Sequence, residues 1–129
     1  MWIFLKDAFL SVVYKGCNPH EVMVRARVAG DIKRVFPRAK EISGLGTDYP
    51  FRAVVTREEL AEALTNEVEG IDYSNFKSSV RDSARHDAYM DVWSAMVKLQ
   101  HGMRRPLKGG AMYDDHADRF FSTSTRKRR

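Results

Sequence analysis

Polar and apolar positions alternate most regularly over residues 21–28. Val22, Val24, Ala26 and Val28 fall on one side, and Met23, Arg25 and Arg27 on the other. A period of two predicts a strand with one face in a core and a second face carrying two arginines. Residues 48–56 repeat the pattern, with Phe51, Ala53 and Val55 against Arg52 and Val54. Residues 2–5 and 8–15 predict two further strands, joined by a turn at Lys6-Asp7 into a hairpin. Both are apolar at adjacent as well as alternate positions, so at least one is expected to be buried on both faces.

Helical spacing appears in three places. Residues 31–36 predict a short helix with Ile32, Val35 and Phe36 inward, ended by Pro37, which pushes its predecessor out of helical geometry. Thr56-Arg57-Glu58-Glu59 is a capping box opening a helix to about residue 69, with Leu60, Leu64 and Val68 inward, Gly70 at its end and an acidic outer face. Residues 74–100 contain neither Pro nor Gly. There Phe76, Val80, Ala84, Ala88, Val92, Ala95, Met96 and Leu99 recur at helical spacing, so one uninterrupted helix is expected, with Gly102 as its stop. Tyr89, Trp93 and Val97 widen the stripe. The expected fold is α+β: a small, mainly antiparallel sheet of about four strands, with helices packed on one face and a long C-terminal helix. The succession strand, strand, helix, strand, helix suggests a partial ferredoxin-like arrangement.

Gly16-Cys17-Asn18-Pro19 reads as a turn. Residues 38–48 read as a loop around Ser43-Gly44-Leu45-Gly46, whose glycines match no phosphate-binding pattern.

Charge changes the picture at one end only. The chain has 129 residues and a formal net charge of +5. Residues 1–103 hold 14 basic and 14 acidic residues, and residues 104–129 hold 8 and 3, so the whole excess lies in the tail. Residues 1–103 are therefore expected to form a single α+β domain. Residues 104–129 are expected to be a basic tail with little structure of its own. The single cysteine, Cys17, excludes an intrachain disulfide and suits a reducing compartment. The apolar start, residues 1–5, is interrupted by Lys6-Asp7 and lacks a basic leader, unlike a signal peptide. No stretch reaches the 18 apolar residues of a membrane span. A cytoplasmic protein is the expectation.

Three groups of residues invite chemistry. Arg25, Arg27 and Arg52 would share the uncovered sheet face if their strands are neighbours, and forked guanidinium donors suit phosphate or carboxylate oxygens. The alternative is that they pair with the glutamates of the acidic helix or lie solvated. Asp82 and His86, one helical turn apart, would be the catalytic candidates if the carboxylate orients the imidazole; an ion-pair network on a helix surface explains the same run. In the tail, Asp114, Asp115, His116 and Asp118 match no metal-loop spacing, so neither a metal nor a cofactor is expected. Arg126, Lys127, Arg128 and Arg129 offer a salt-sensitive contact for any polyanion.

Residues 1–99 also resemble a widespread family of small, function-unassigned proteins of bacteria and phages. The resemblance rests on Met1-Trp2-Ile3-Phe4, Phe9-Leu10-Ser11-Val12-Val13 and Val24-Arg25-Ala26-Arg27. It continues through Asp48-Tyr49-Pro50-Phe51-Arg52-Ala53-Val54-Val55, Ile71-Asp72-Tyr73-Ser74-Asn75-Phe76-Lys77 and Ala88-Tyr89-Met90-Asp91-Val92-Trp93-Ser94. It implies no particular activity and favours a free-standing accessory protein over a fragment of a large enzyme. The leading expectation is a non-enzymatic protein that binds another macromolecule, in first place a protein. A DNA- or RNA-binding module and an enzyme centred on His86 are the alternatives.

Overall fold

The computed structural model describes residues 1–44 and 46–103. The chain divides into two compact units, Met1–Asp91 and Val92–Arg129. No helix among the described residues is long and apolar enough to cross a membrane.

The first unit is an α+β fold built on four strands: β1 (Trp2–Phe4), β2 (Phe9–Val13), β3 (Glu21–Ala26) and β4 (Phe51–Thr56). They form one open antiparallel sheet in the order β1-β2-β3-β4. The expected succession of elements is present, but spatial neighbours are sequential, where a ferredoxin-like fold interleaves its strands. Register pairs Val22 with Val55 and Val24 with Ala53, so the apolar alternation of the two strands falls on one face. β2 is buried on both faces: Leu10, Ser11 and Val12 are all inaccessible.

Two helices cover the apolar face. Helix α1 (Asp31–Val35) starts from Gly30, whose φ of 92° is a conformation in which a Cβ would be strained. Helix α2 (Arg57–Glu69) starts from the expected capping box: Thr56 Oγ1 accepts from the Glu59 amide at 3.0 Å, and Glu59 accepts from the Thr56 amide at 2.7 Å. Ile32 and Phe36 from the α1 region and Leu60 of α2 join Leu10, Val12, Val22, Val24, Ala26, Ala53 and Val55 in one core, with Ala63 and Leu64 against it. Val68, expected inward, is 66% exposed. The last turn of α2 is held to α1 by Glu67, which accepts from Arg34, so a polar contact replaces the apolar one.

The helix expected over residues 74–100 is broken. Helix α3 (Phe76–Ser79) is a single turn capped by Asn75, and helix α4 (Ser83–Met103) begins afresh. Between them Val80 adopts extended geometry and is buried, and the Asp82 carboxylate accepts the Arg85 amide at 2.8 Å as a new N-cap. Burying Val80 and capping at Asp82 both compete with helix continuation. Gly102 lies inside α4 rather than ending it.

The first part of α4 is pinned to the sheet. Arg85 donates to both Asp31 oxygens, at 3.0 and 2.7 Å, and the Phe9 amide donates to the same carboxylate at 2.9 Å. The side chains of Arg85 and Asp31 are 13% and 4% exposed. Burial opposes the charge on Arg85, but its bonds to Asp31 and Tyr89 outweigh that and raise its pKa. The Tyr89 hydroxyl lies 3.0 Å from the carbonyl oxygens of both Leu5 and Ala8. Its ring packs edge-on against Phe4 and stacks on Phe76. Burial pushes the Tyr89 pKa up.

Candidate functional site

The polar face of the sheet brings the three predicted arginines together. Trp2 pairs with Ser11, Ser11 with Arg25, and Arg25 with Arg52, so these four side chains form a row across the four strands. Directly opposed residues of an antiparallel pair point to the same face. A strap over residues 41–49 lies against the β4 end of this row. It is fixed by two backbone hydrogen bonds between Ile42 and Arg52, of 2.7 and 2.9 Å.

Tyr49 is the centre of the site. It is 4% exposed, and the guanidinium carbons of Arg25 and Arg27 each lie 4.3 Å from its ring centre. Planar, weakly hydrated guanidinium groups stack on an aromatic face while their edges keep donating hydrogen bonds. Arg25 Nη2 donates to Ser11 Oγ at 2.8 Å, and Arg27 Nη1 donates to the Asp48 carbonyl at 2.7 Å. Arg52 Nη2 donates to Thr47 Oγ1 at 3.0 Å, and its Nε to the Tyr49 carbonyl at 3.3 Å. The expected alternative of pairing with the α2 glutamates does not occur for these three; Glu67 takes Arg34 instead. Arg25 Nε is buried without a hydrogen-bond partner among the described residues. Three other aromatics, Trp2, Phe4 and Phe9, lie on this face. Trp2 is exposed at the β1 edge, with its ring edge-on to Phe9 at 6.2 Å. Sequence reasoning found the arginines by alternation, but the tyrosine between them carries no periodic signal.

Asp82 and His86 are not brought together by their side chains. The Asp82 carboxylate is committed to capping α4, and His86 Nδ1 lies 3.5 Å from Asp87 instead. Among the described residues no group of His, Cys, Asp and Glu is placed to hold a metal ion. Arg126, Lys127, Arg128 and Arg129, with Asp114, Asp115, His116 and Asp118, lie outside the described residues.

The described part of the second unit, residues 92–103, carries the second half of the apolar stripe expected from helical spacing. Val92, Met96, Leu99 and Met103 are exposed. Their spacing of four, three and four is that of the a and d positions of a heptad, which lie on one helix face. Trp93, beside them, is also exposed. Periodicity identifies an apolar face but not what covers it.

Comparison of the chain with family models, with curated proteins and with solved structures gives no match.

Proposed function

We propose that this chain is a small, non-enzymatic accessory protein that binds a protein partner through the C-terminal half of α4. The observation that carries the reading is the exposed a/d seam of Val92, Met96, Leu99 and Met103. Two heptads are too short to be stable as a free coiled coil, but they suffice for knobs-into-holes packing against one helix of a larger protein. Charge selects the partner. Residues 92–129 hold nine basic and three acidic residues, a net of +6. An acidic amphipathic helix is the complement of that segment. The lone cysteine and the resemblance to small bacterial and phage proteins fit a cytoplasmic setting for this exchange.

The test is calorimetric titration of the full chain with two synthetic helical peptides of equal length, one built from Leu/Glu heptads and one from Leu/Lys heptads. The acidic peptide is expected to bind, and Met96→Glu to weaken it at least about tenfold, since the charge enters an apolar seam. Equal binding of both peptides, or indifference to Met96→Glu, defeats the proposal.

The polar sheet face supports a second reading, binding of single-stranded nucleic acid. The specific observation is the row from exposed Trp2 to Arg52, which sets a stacking aromatic beside cations. Against it, all three arginines already donate to the protein itself. Retention of a mixed DNA and RNA pool at moderate salt, lost in Trp2→Ala with Arg27→Ala, would favour this reading over the first. Retention lost with salt alone would assign it to the basic tail.

A further inference from the structure

The first unit contains a cleft of about 760 Å³ between the β1–β2 turn, the segment leading into α3 and the start of α4. Its volume is in the range of small-molecule sites, roughly 300–1,000 Å³. Neither the sheet face nor the α4 seam uses it. Its formal lining charges cancel, with three cations and three carboxylates. What a ligand meets is set by which of these groups are already engaged within the protein.

The carboxylates are engaged. Asp7 accepts from Arg34 at 2.8 Å. Asp82 caps α4. Asp72, 80% exposed, faces Lys6 at 3.8 Å. Of the cations, Arg85 is held by buried Asp31. Arg81, by contrast, has no hydrogen bond or ion pair among the described residues, and the hydroxyls of Tyr73, Ser74 and Ser78 have no hydrogen-bond partner there. Lys6 forms an ion pair with Asp72 at 3.8 Å, beyond hydrogen-bond distance, so its charge is shared while its N–H donors can still turn to a ligand. Arg81 is therefore the lining cation without a carboxylate among the described residues, with three hydroxyls beside it and the Lys6 ammonium in the same cleft.

We infer that this cleft binds the phosphate group of a small phosphorylated molecule. A phosphate monoester carries a charge between −1.5 and −2 near neutral pH and three strong acceptor oxygens. That matches an unpaired arginine, the Lys6 donors and a set of hydroxyls better than a carboxylate, which has one charge and two oxygens. Arg81 supplies the forked donor suited to phosphate, and Lys6 supplies a point charge. The remaining volume accommodates the body of the ligand. Inorganic phosphate and a phosphate ester share this chemistry.

The test is an amide chemical-shift titration of the full chain with inorganic phosphate, with ribose 5-phosphate and with chloride at matched ionic strength. Saturable shifts are expected at residues 73–81 with a phosphate ligand and not with chloride. Stronger binding of ribose 5-phosphate would identify an ester as the ligand; equal binding would identify phosphate itself. Arg81→Ala is expected to weaken binding by about tenfold or more, the weight of one charge-assisted contact. Arg57→Ala, remote from the cleft, serves as the control and is expected to leave binding unchanged. Shifts confined to residues 104–129, or Arg81→Ala binding as tightly as the wild type, overturn the inference.

Discussion

One face of the sheet is closed by aliphatic side chains, the other by two guanidinium groups laid on a tyrosine. Both closures use the same strands and differ only in which alternate residues they take. On the first face Leu10, Val24 and Ile32 are essentially inaccessible, and their stabilisation follows the apolar area removed from water and the fit of the packing. On the second, Tyr49 is as deeply buried, but what lies on it is Arg25 and Arg27. That closure depends on ring electrons and on the Ser11 hydroxyl and Asp48 carbonyl accepting from the arginine edges. Burial alone therefore does not separate an aliphatic core from a face closed by cations. The partner of the buried ring does.

The largest effect is expected on the aliphatic face. Leu10→Ala removes a fully buried side chain from the centre of the sheet and is expected to cost about 2–5 kcal/mol, read from urea unfolding. A loss below about 1 kcal/mol would mean that the face collapses around the gap and is not close-packed. Tyr49→Leu keeps most of the volume on the opposite face and deletes the π system. It is expected to cost about 1–2 kcal/mol, two cation–π contacts at a partly solvated site. No measurable loss would reduce the stack to simple packing and erase the contrast between the faces.

The smallest effect tests a polar anchor at the hairpin end. Tyr89→Phe is expected to cost about 1 kcal/mol at neutral pH through its lost hydrogen bond. It also changes the alkaline limb. Because burial raises the Tyr89 pKa above its ordinary 10.0, the unfolded chain ionises first. Its contribution is complete below that ordinary value and declines as pH rises through the folded-state pKa. Unfolding midpoints measured from pH 8 upward should therefore fall less steeply for Tyr89→Phe than for the wild type. Parallel pH profiles would show that the hydroxyl is effectively solvated.

Much of this architecture was legible in the residue pattern. Alternation in β3 and β4, the Thr56–Glu59 box and the proline after α1 are local signals, and each placed its element within a few residues. The α+β class followed from them. The break between α3 and α4 was not legible, because Val80 fits a helical stripe as well as it fits the buried, extended link it forms. Nor were the strap and Tyr49, whose positions come from contacts to Arg25 and Arg27 more than 20 residues earlier in the chain. The arginine cluster was found because it lies on regular strands. The phosphate cleft was missed because its groups come from three separate turns and segments with no common period. The exposed α4 seam shows the opposite limit: the periodicity was seen, but periodicity does not say what covers it.

The Asp31 carboxylate ties together the hairpin amide of Phe9, its own short helix and Arg85, which follows it by 54 residues. Closing so long a loop is slow relative to forming a meander of neighbouring strands. The sheet and α1 can therefore assemble first and present a half-satisfied carboxylate that only the arriving Arg85 completes. Residues 83–91 would then join the fold last. During synthesis, the chain must release the start of α4 before this one acid finds its counter-charge.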